Sequence, residues 1–269
     1  MVSKTLRRII SLMAAVEMLL VGMILAYVNG HRIIKVEEIP PIEIRDSASL
    51  VYGICTLPSA EITTEDRHSA DEAVHKAVKE YIKDNYGQLL TLVNPWNTIP
   101  EGYVPELVVV EDGYSVDVRC AEALSRMLAD CRAAGNPAVL CSAYRTQQYQ
   151  QELYNNKIYR LIAEGVSEED APTVAAQSVA IPGTSEHQLG LAVDIIDFNY
   201  PYLDSEQEKT PTQKWLMENC EEYGFILRYP NGSSELTGII YEPWHYRYVG
   251  RISAKEIMTR AITLEEYLN

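Results

Sequence analysis

Pro182-Gly183-Thr184-Ser185-Glu186-His187-Gln188-Leu189-Gly190-Leu191-Ala192-Val193-Asp194 places a histidine and an aspartate on either side of a glycine. From Leu191 onward the side chains alternate. Leu191, Val193 and Ile195 fall on one face, and Ala192, Asp194 and Ile196 on the other, which is the period of a strand. Gly190 lets the chain turn after His187, so the pattern predicts a loop histidine folded back beside a strand aspartate. Asp194 stands in apolar company, which is costly unless the acid is paired or holds a metal. A neutral imidazole and a carboxylate are both good Zn²⁺ ligands, and catalytic zinc sites commonly use three protein ligands with one position open for water.

Glu242-Pro243-Trp244-His245, about fifty residues later, holds a second histidine and a second carboxylate in one short neighbourhood. Pro243 disfavours a regular helix through the pair. A flat strand would send Glu242 and His245 to opposite faces, because its side-chain period is two. They share a site only where the backbone twists or bulges. Tyr246-Arg247-Tyr248-Val249 then reads as a strand. On this reading His187, Asp194 and His245 bind one zinc ion. Glu242 is the unligated base that takes a proton from the zinc-bound water. A closed structural zinc is disfavoured, because only three good ligands are present and Glu242 is left over.

These residues carry a resemblance. The chain resembles the zinc D-alanyl-D-alanine carboxypeptidases of the VanY type, in the wider group of bacterial cell-wall peptidases that includes VanX. The family pattern Ser-x-His-x-x-Gly-x-Ala-x-Asp stands here at Ser185, His187, Gly190, Ala192 and Asp194, and Glu-x-x-His at Glu242 and His245. The upstream Ser-Gly-Tyr-Arg-Ser motif is Ser142-Ala143-Tyr144-Arg145-Thr146, with Ala143 where glycine is usual; Leu189 stands where a polar residue is common. The segments Leu92 to Asn97 and Tyr103 to Leu107 resemble the start of the family's domain. The similarity covers roughly Gly87 to the C-terminus.

The resemblance implies peptidoglycan stem peptides as substrate and removal of a terminal D-alanine. Arg145 directly follows a predicted strand, and its planar fork of donors suits a carboxylate or a developing oxyanion. Gln150 is the family's second polar contact in the same motif. Ser185 and Gln150 are candidates for the peptide's free carboxylate. Trp244 either walls the pocket beside His245 or packs in the core. Arg228 either helps close the site or makes a structural ion pair. The loop carrying Tyr200 and Tyr202 is the candidate for choosing between a D,D and an L,D bond. A cell-wall endopeptidase and a non-catalytic, zinc-stabilised peptide-binding module are the alternatives; the second would lack Glu242.

The rest of the chain predicts an α+β fold, a small and mostly antiparallel sheet flanked by helices. Helices are expected over Val116 to Arg132 (Leu124, Met127, Leu128 and Cys131 inward), Thr146 to Tyr159, Ala171 to Val179 and Pro211 to Tyr223. The second and third are expected to cover one side of the sheet. Strands are expected over Ala138 to Cys141 and Gly224 to Tyr229. Leu89 to Asn94 reads as a strand or a packed arm, with Trp96 and Tyr103 anchoring the loop after it. Ser253 and the box Thr263-Leu264-Glu265-Glu266 predict caps for helices near the C-terminus.

Residues 9–28 are apolar over about the twenty residues that span a bilayer, and Lys4, Arg7 and Arg8 precede them. This predicts a cytoplasmic tail over 1–8, an N-terminal transmembrane anchor over 9–28, and an extracellular stalk over 29–86. The stalk carries one helix, begun by the capping box Ser69-Ala70-Asp71-Glu72. A zinc carboxypeptidase domain over 87–269 then faces the wall side of a bacterial membrane. A cleaved signal peptide is the rival reading, set against the length of the apolar run. The net charge of −15 argues against a nucleic-acid partner, which needs clustered Lys and Arg. Five cysteines occur without a Cys-x-x-Cys pair. An exported domain permits disulfides, and buried free thiols are the alternative. Cys120 and Cys131 lie too far apart along one helix to bond each other.

Overall fold

The structure, a computed structural model, describes residues 87–269. The expected tail, anchor and stalk with its helix lie outside the described residues, as does Cys55. Among the described residues no helix is long and apolar enough to cross a membrane.

A 3₁₀ turn, Gly87–Leu90, opens the described chain and buries Leu89 and Leu90. The elements that follow are β1 (Leu107–Val109), β2 (Ser115–Asp117), α1 (Val118–Ala133), β3 (Ala138–Ser142), α2 (Gln147–Ala163), α3 (Ala171–Ala176), β4 (Ala192–Asp197), α4 (Pro211–Asn219), β5 (Phe225–Leu227), the single turn α5 (Ser234–Thr237), β6 (His245–Tyr248), α6 (Arg251–Arg260) and α7 (Leu264–Leu268). Strands β1 and β2 form an antiparallel hairpin. The other four make a sheet in the order β3-β4-β6-β5. Every neighbouring pair in it is antiparallel, in keeping with the small antiparallel sheet expected.

Strand β4 lies inside this sheet, and all six of its residues are buried. Leu191, Val193 and Ile195 enter the main core with Leu124, Met127, Leu128 and Cys131 of α1. Those four helix positions fall at i, i+3, i+4 and i+7, so one face of α1 seals against the sheet. Helices α1, α4 and α6 contact β3, β4 and β5 respectively.

Four expectations are corrected. Helix α1 begins two residues later than its apolar pattern suggests, because Val116 pairs with Val108 in the hairpin and Asp117 caps the helix by accepting from Arg119 N. The hairpin turns on Asp112-Gly113, whose φ values of 52° and 81° are those of a tight two-residue turn. Helices α2 and α3 do not form the cover expected of them: they pack on each other, and Leu161, Ala171 and Ala175 make a small cluster of their own. Only Gln150 and Leu161 of α2 are buried, too narrow a stripe to cover a sheet. Ser253 does not cap α6, which starts at Arg251; it is buried and accepts a hydrogen bond from Tyr267 Oη at 3.3 Å. Trp96 is 64% exposed and lies outside the core of the described residues, whereas Tyr103 packs on that core and donates its hydroxyl to Leu189 O at 3.0 Å.

Other expectations hold. Residues 89–94 form a packed arm, with Leu89 and Val93 in the core. Helix α2 forms, with Thr146 as its cap rather than its first residue, and Thr263 and Glu266 form the reciprocal capping box of α7. Helix α4 runs on into a 3₁₀ turn, Cys220–Tyr223. Cys120, Cys131, Cys141 and Cys220 are free thiols, and all but Cys141 are buried.

Candidate active site

Sheet register builds the site. Ser142 on β3, Asp194 on β4 and His245 on β6 are successive register partners across three strands. A bulge in β3 between Leu140 and Ser142 sets the first of these pairs. His187 comes from outside the sheet, on a 3₁₀ turn, Glu186–Leu189. Gly190 ends that turn in the left-handed region at φ 73°, and its carbonyl accepts from Asp117 N at 2.8 Å. A Cβ there would lie 3.0 Å from Asp117 N and 3.2 Å from Leu107 Cδ2, so the position needs glycine on two counts. Tyr103 on Leu189 O and Arg145 N on His187 O at 3.2 Å clamp the same turn.

One ligand atom from each of His187, Asp194 and His245 lies within 4.8 Å of the other two. His187 Nδ1 is 2.8 Å from Ala143 O, which fixes its proton there and leaves Nε2 free, 3.3 Å from Asp194 Oδ2. His245 Nδ1 lies 3.1 Å from Asp194 Oδ1, and the two imidazoles meet edge to face at 4.9 Å. All three residues are at most 3% exposed. Burial and the charge of Arg145 push His187 down to about 4, so it is neutral and free to ligate at pH 7. Asp194 is held well below the usual carboxylate range: burial opposes this, but His187, His245 and Arg145 outweigh it. Two neutral-capable imidazoles and one carboxylate, buried and convergent, fit Zn²⁺.

Glu242 reaches the same place by a turn. His245 N bonds back to Glu242 O at 3.1 Å, and Glu242 N is tied to Tyr229 O. This turn is the departure from a flat strand that the Glu-x-x-His spacing demands. It brings Glu242 Oε2 to 3.8 Å from His245 Nδ1. Burial pushes the Glu242 carboxyl up to about 8, against the pull of His245. A cation beside it would bring that value down toward neutrality.

Arg145 sits on the loop between β3 and α2. Its Nη2 donates to Asp194 Oδ2 at 2.7 Å and to Ser142 Oγ at 2.7 Å, and its Nε donates to Ser142 Oγ at 2.9 Å. Gln150 is fully buried; its Oε1 accepts from Arg145 Nη1 at 3.4 Å and its Nε2 donates to Ala180 O at 2.7 Å. It therefore lies against the guanidinium rather than in open space. Ser185 is 3% exposed, two residues before His187, and Trp244 is 7% exposed between Glu242 and His245.

A family profile described as "VanY: D-alanyl-D-alanine carboxypeptidase" matches residues 113–251. The chain belongs to the VanY family. It is 43% identical over 180 residues to a D-alanyl-D-alanine carboxypeptidase of Enterococcus faecalis, covering 67% of this chain and 65% of that relative. The chain thus spans just under two thirds of that relative's length. Among solved structures it is similar to the vancomycin-resistance D,D-pentapeptidase VanY, a mutant from a VanB-type resistance cassette in complex with Zn(II). There the TM-score is 0.63 at 42% identity, covering 68% of this chain and 99% of that one. VanYB in complex with D-alanine-D-alanine gives a TM-score of 0.62 at 42% identity, covering 67% and 97%. The VanY resemblance seen in the motifs is therefore the right family.

Two charged residues at this VanY-family site escaped the sequence reading. Glu186 and Arg247 are 1% and 0% exposed, and Arg247 Nη1 donates to Glu186 Oε1 at 2.7 Å. The available signal for Glu186 was its place beside His187 within the motif. Arg228, left open between two roles, is fully buried and forked onto Glu265, a structural ion pair.

Proposed function

We propose that this chain is a zinc-dependent D-alanyl-D-alanine carboxypeptidase that removes the terminal D-alanine from peptidoglycan stem peptides. The observation that carries the reading is the convergence of His187, Asp194 and His245 with a fourth residue, the unligated carboxylate Glu242, beside them. His187 through Nε2, Asp194 through a carboxylate oxygen and His245 through Nδ1 would hold one zinc ion. Zinc, when bound, supplies an acidified water and a polarised carbonyl.

The chain's own residues do the rest. Glu242 takes the proton from the attacking water at its carboxylate and returns it to the departing amine as the C–N bond breaks. Its upward-shifted carboxyl suits both duties, since a base that must later act as acid works best with a pKa near the ambient pH. Arg145 anchors Asp194 and presents its cationic edge to the charge that develops on the scissile carbonyl oxygen. Gln150 positions Arg145 from behind. Ser185 is the side chain proposed to meet the free carboxylate of the peptide, and Trp244 the wall for a methyl side chain. Similarity to VanYB bound to D-alanine-D-alanine supports the D,D assignment. The apolar run 9–28, read from the sequence, would hold the domain on the outer face of a bacterial membrane.

The experiment is mass spectrometry of products after incubation with a pentapeptide stem ending D-Ala-D-Ala, a tetrapeptide stem, and a cross-linked stem dimer. The reading expects one D-alanine lost from the pentapeptide at the highest rate. Preferred loss from the tetrapeptide makes the enzyme an L,D-carboxypeptidase. Preferred cutting of the dimer makes it an endopeptidase. No cutting of any of the three makes it a binding module.

A further inference from the structure

Glu186 stands next to the loop histidine, yet it is no part of the proposed ligand set. It is 1% exposed. Its Oε1 accepts from Arg228 Nε at 2.8 Å and from Arg247 Nη1 at 2.7 Å. Among the described residues its Oε2 is buried without a hydrogen-bond partner, and so is His245 Nε2. These two orphaned atoms face each other at 3.6 Å. Buried polar atoms are nearly always paired, so two that lack partners and point at one another call for an explanation.

The other side of the same ring supplies it. His245 Nδ1 faces Asp194 at 3.1 Å and Glu242 at 3.8 Å. A neutral imidazole that ligates through Nδ1 must carry its proton on Nε2, and that N–H needs an acceptor. We propose that Glu186 is a positioning residue, whose Oε2 accepts the Nε2–H of His245 and so keeps the Nδ1 lone pair aimed at the metal position. This rests on the metal reading above.

The surroundings leave Glu186 little choice. Arg228 is forked onto Glu265 of α7, whose Oε1 also accepts from Asn94 Nδ2 at 3.0 Å. Arg247 Nη2 donates to Leu89 O at 2.7 Å and to Thr91 O at 3.0 Å. Both guanidiniums are therefore tied to the packed arm and the last helix, and they pin Oε1 while Oε2 projects at His245. Tyr229 packs against the His245 ring at 4.7 Å and 44°. That contact fixes the ring's plane but cannot tell one nitrogen from the other.

The test uses the purified full-length chain, with zinc titrated against a chromogenic chelator. Glu186→Gln keeps the shape; its oxygen accepts from the arginines and its NH₂ then faces His245 Nε2, which favours the opposite tautomer. It is expected to weaken zinc binding about 10–100-fold relative to wild type. Glu265→Gln, which breaks only the outer part of the network, is expected to lower the melting temperature and leave zinc affinity unchanged. In parallel, two-bond ¹H–¹⁵N spectra of the zinc-loaded wild type are expected to show the His245 proton on Nε2. That spectrum decides the matter should Glu186→Gln fail to fold. Wild-type zinc affinity in folded Glu186→Gln, or a wild-type spectrum with the proton on Nδ1, overturns the inference while leaving the metal reading intact. A wild type that binds no zinc overturns both.

Discussion

His245 Nδ1 and Asp194 Oδ1 face each other at 3.1 Å because the two residues are register partners on β6 and β4. Fifty-one positions separate them in the chain, yet the pairing of two central strands fixes their distance. A one-residue slip of that pairing would turn one of them to the opposite face of the sheet. The site is thus as well determined as the sheet itself, and His187 is the member that depends on a loop.

Glu242→Gln removes the proposed base and preserves the side chain's shape. Zinc binding is expected to persist and kcat/KM on a pentapeptide stem to fall about 10²–10⁴-fold. Steady-state kinetics with a parallel zinc determination check this. Near-normal turnover would reassign the base.

Arg145→Ala takes away a guanidinium that bonds Asp194 and Ser142. Turnover is expected to drop about 10²–10³-fold, as for loss of one donor to a developing oxyanion, with the fold retained. Kinetics and a circular dichroism melt separate the two effects. Unchanged kinetics would remove Arg145 from the chemistry.

Two buried groups of the site contribute to the pH dependence of the metal-free chain. Burial pushes Glu242 from 4.5 up to about 8. Burial opposes the rise of His245 from 6.5 to about 9, but the nearby carboxylates of Asp194, Glu186 and Glu242 prevail. Each group keeps a proton in the folded chain that the unfolded chain has already released, so stability is lost as pH rises through these windows. His187, lowered to about 4, acts below pH 6.5 in the opposite sense. The melting temperature of chelated protein is therefore expected to fall between about pH 7 and about pH 9, while the zinc-induced gain grows because ligands must be deprotonated. A chelated melting temperature that rises over that range contradicts the placement of these groups.

What the sequence made legible, and what it hid, divides along a physical line. His187, Asp194, Glu242 and His245 sit in short motifs whose residue types carry the chemistry, so their meeting could be expected before any coordinates. The alternation after Gly190 likewise announced β4, and the spacing of Leu124, Met127, Leu128 and Cys131 announced α1. Glu186 and Arg247 were invisible because their importance is tertiary: an arm, two strands and a C-terminal helix must assemble before the buried charges meet. Helix α2 was readable as a helix but not in its packing, since its apolar stripe is too narrow to say what it covers. The Asp112-Gly113 turn was present in the sequence, and a helical reading of Val116 obscured it.

Gly190→Ala tests the loop histidine's support. The left-handed backbone costs an alanine about 1–2 kcal/mol, and the close approach of Asp117 N adds to it. A fall in melting temperature of about 2–8 °C is expected, with weaker zinc binding, by thermal melts and chelator competition. A variant as stable and as zinc-avid as wild type would show that the turn does not depend on glycine.

The most direct measurement is hydrolysis of a pentapeptide stem by chelator-stripped full-length chain as zinc is added back. Zinc dependence requires no D-alanine release without metal, and activity that rises linearly and saturates at one zinc per chain. Release of D-alanine at full rate from the stripped chain would contradict it.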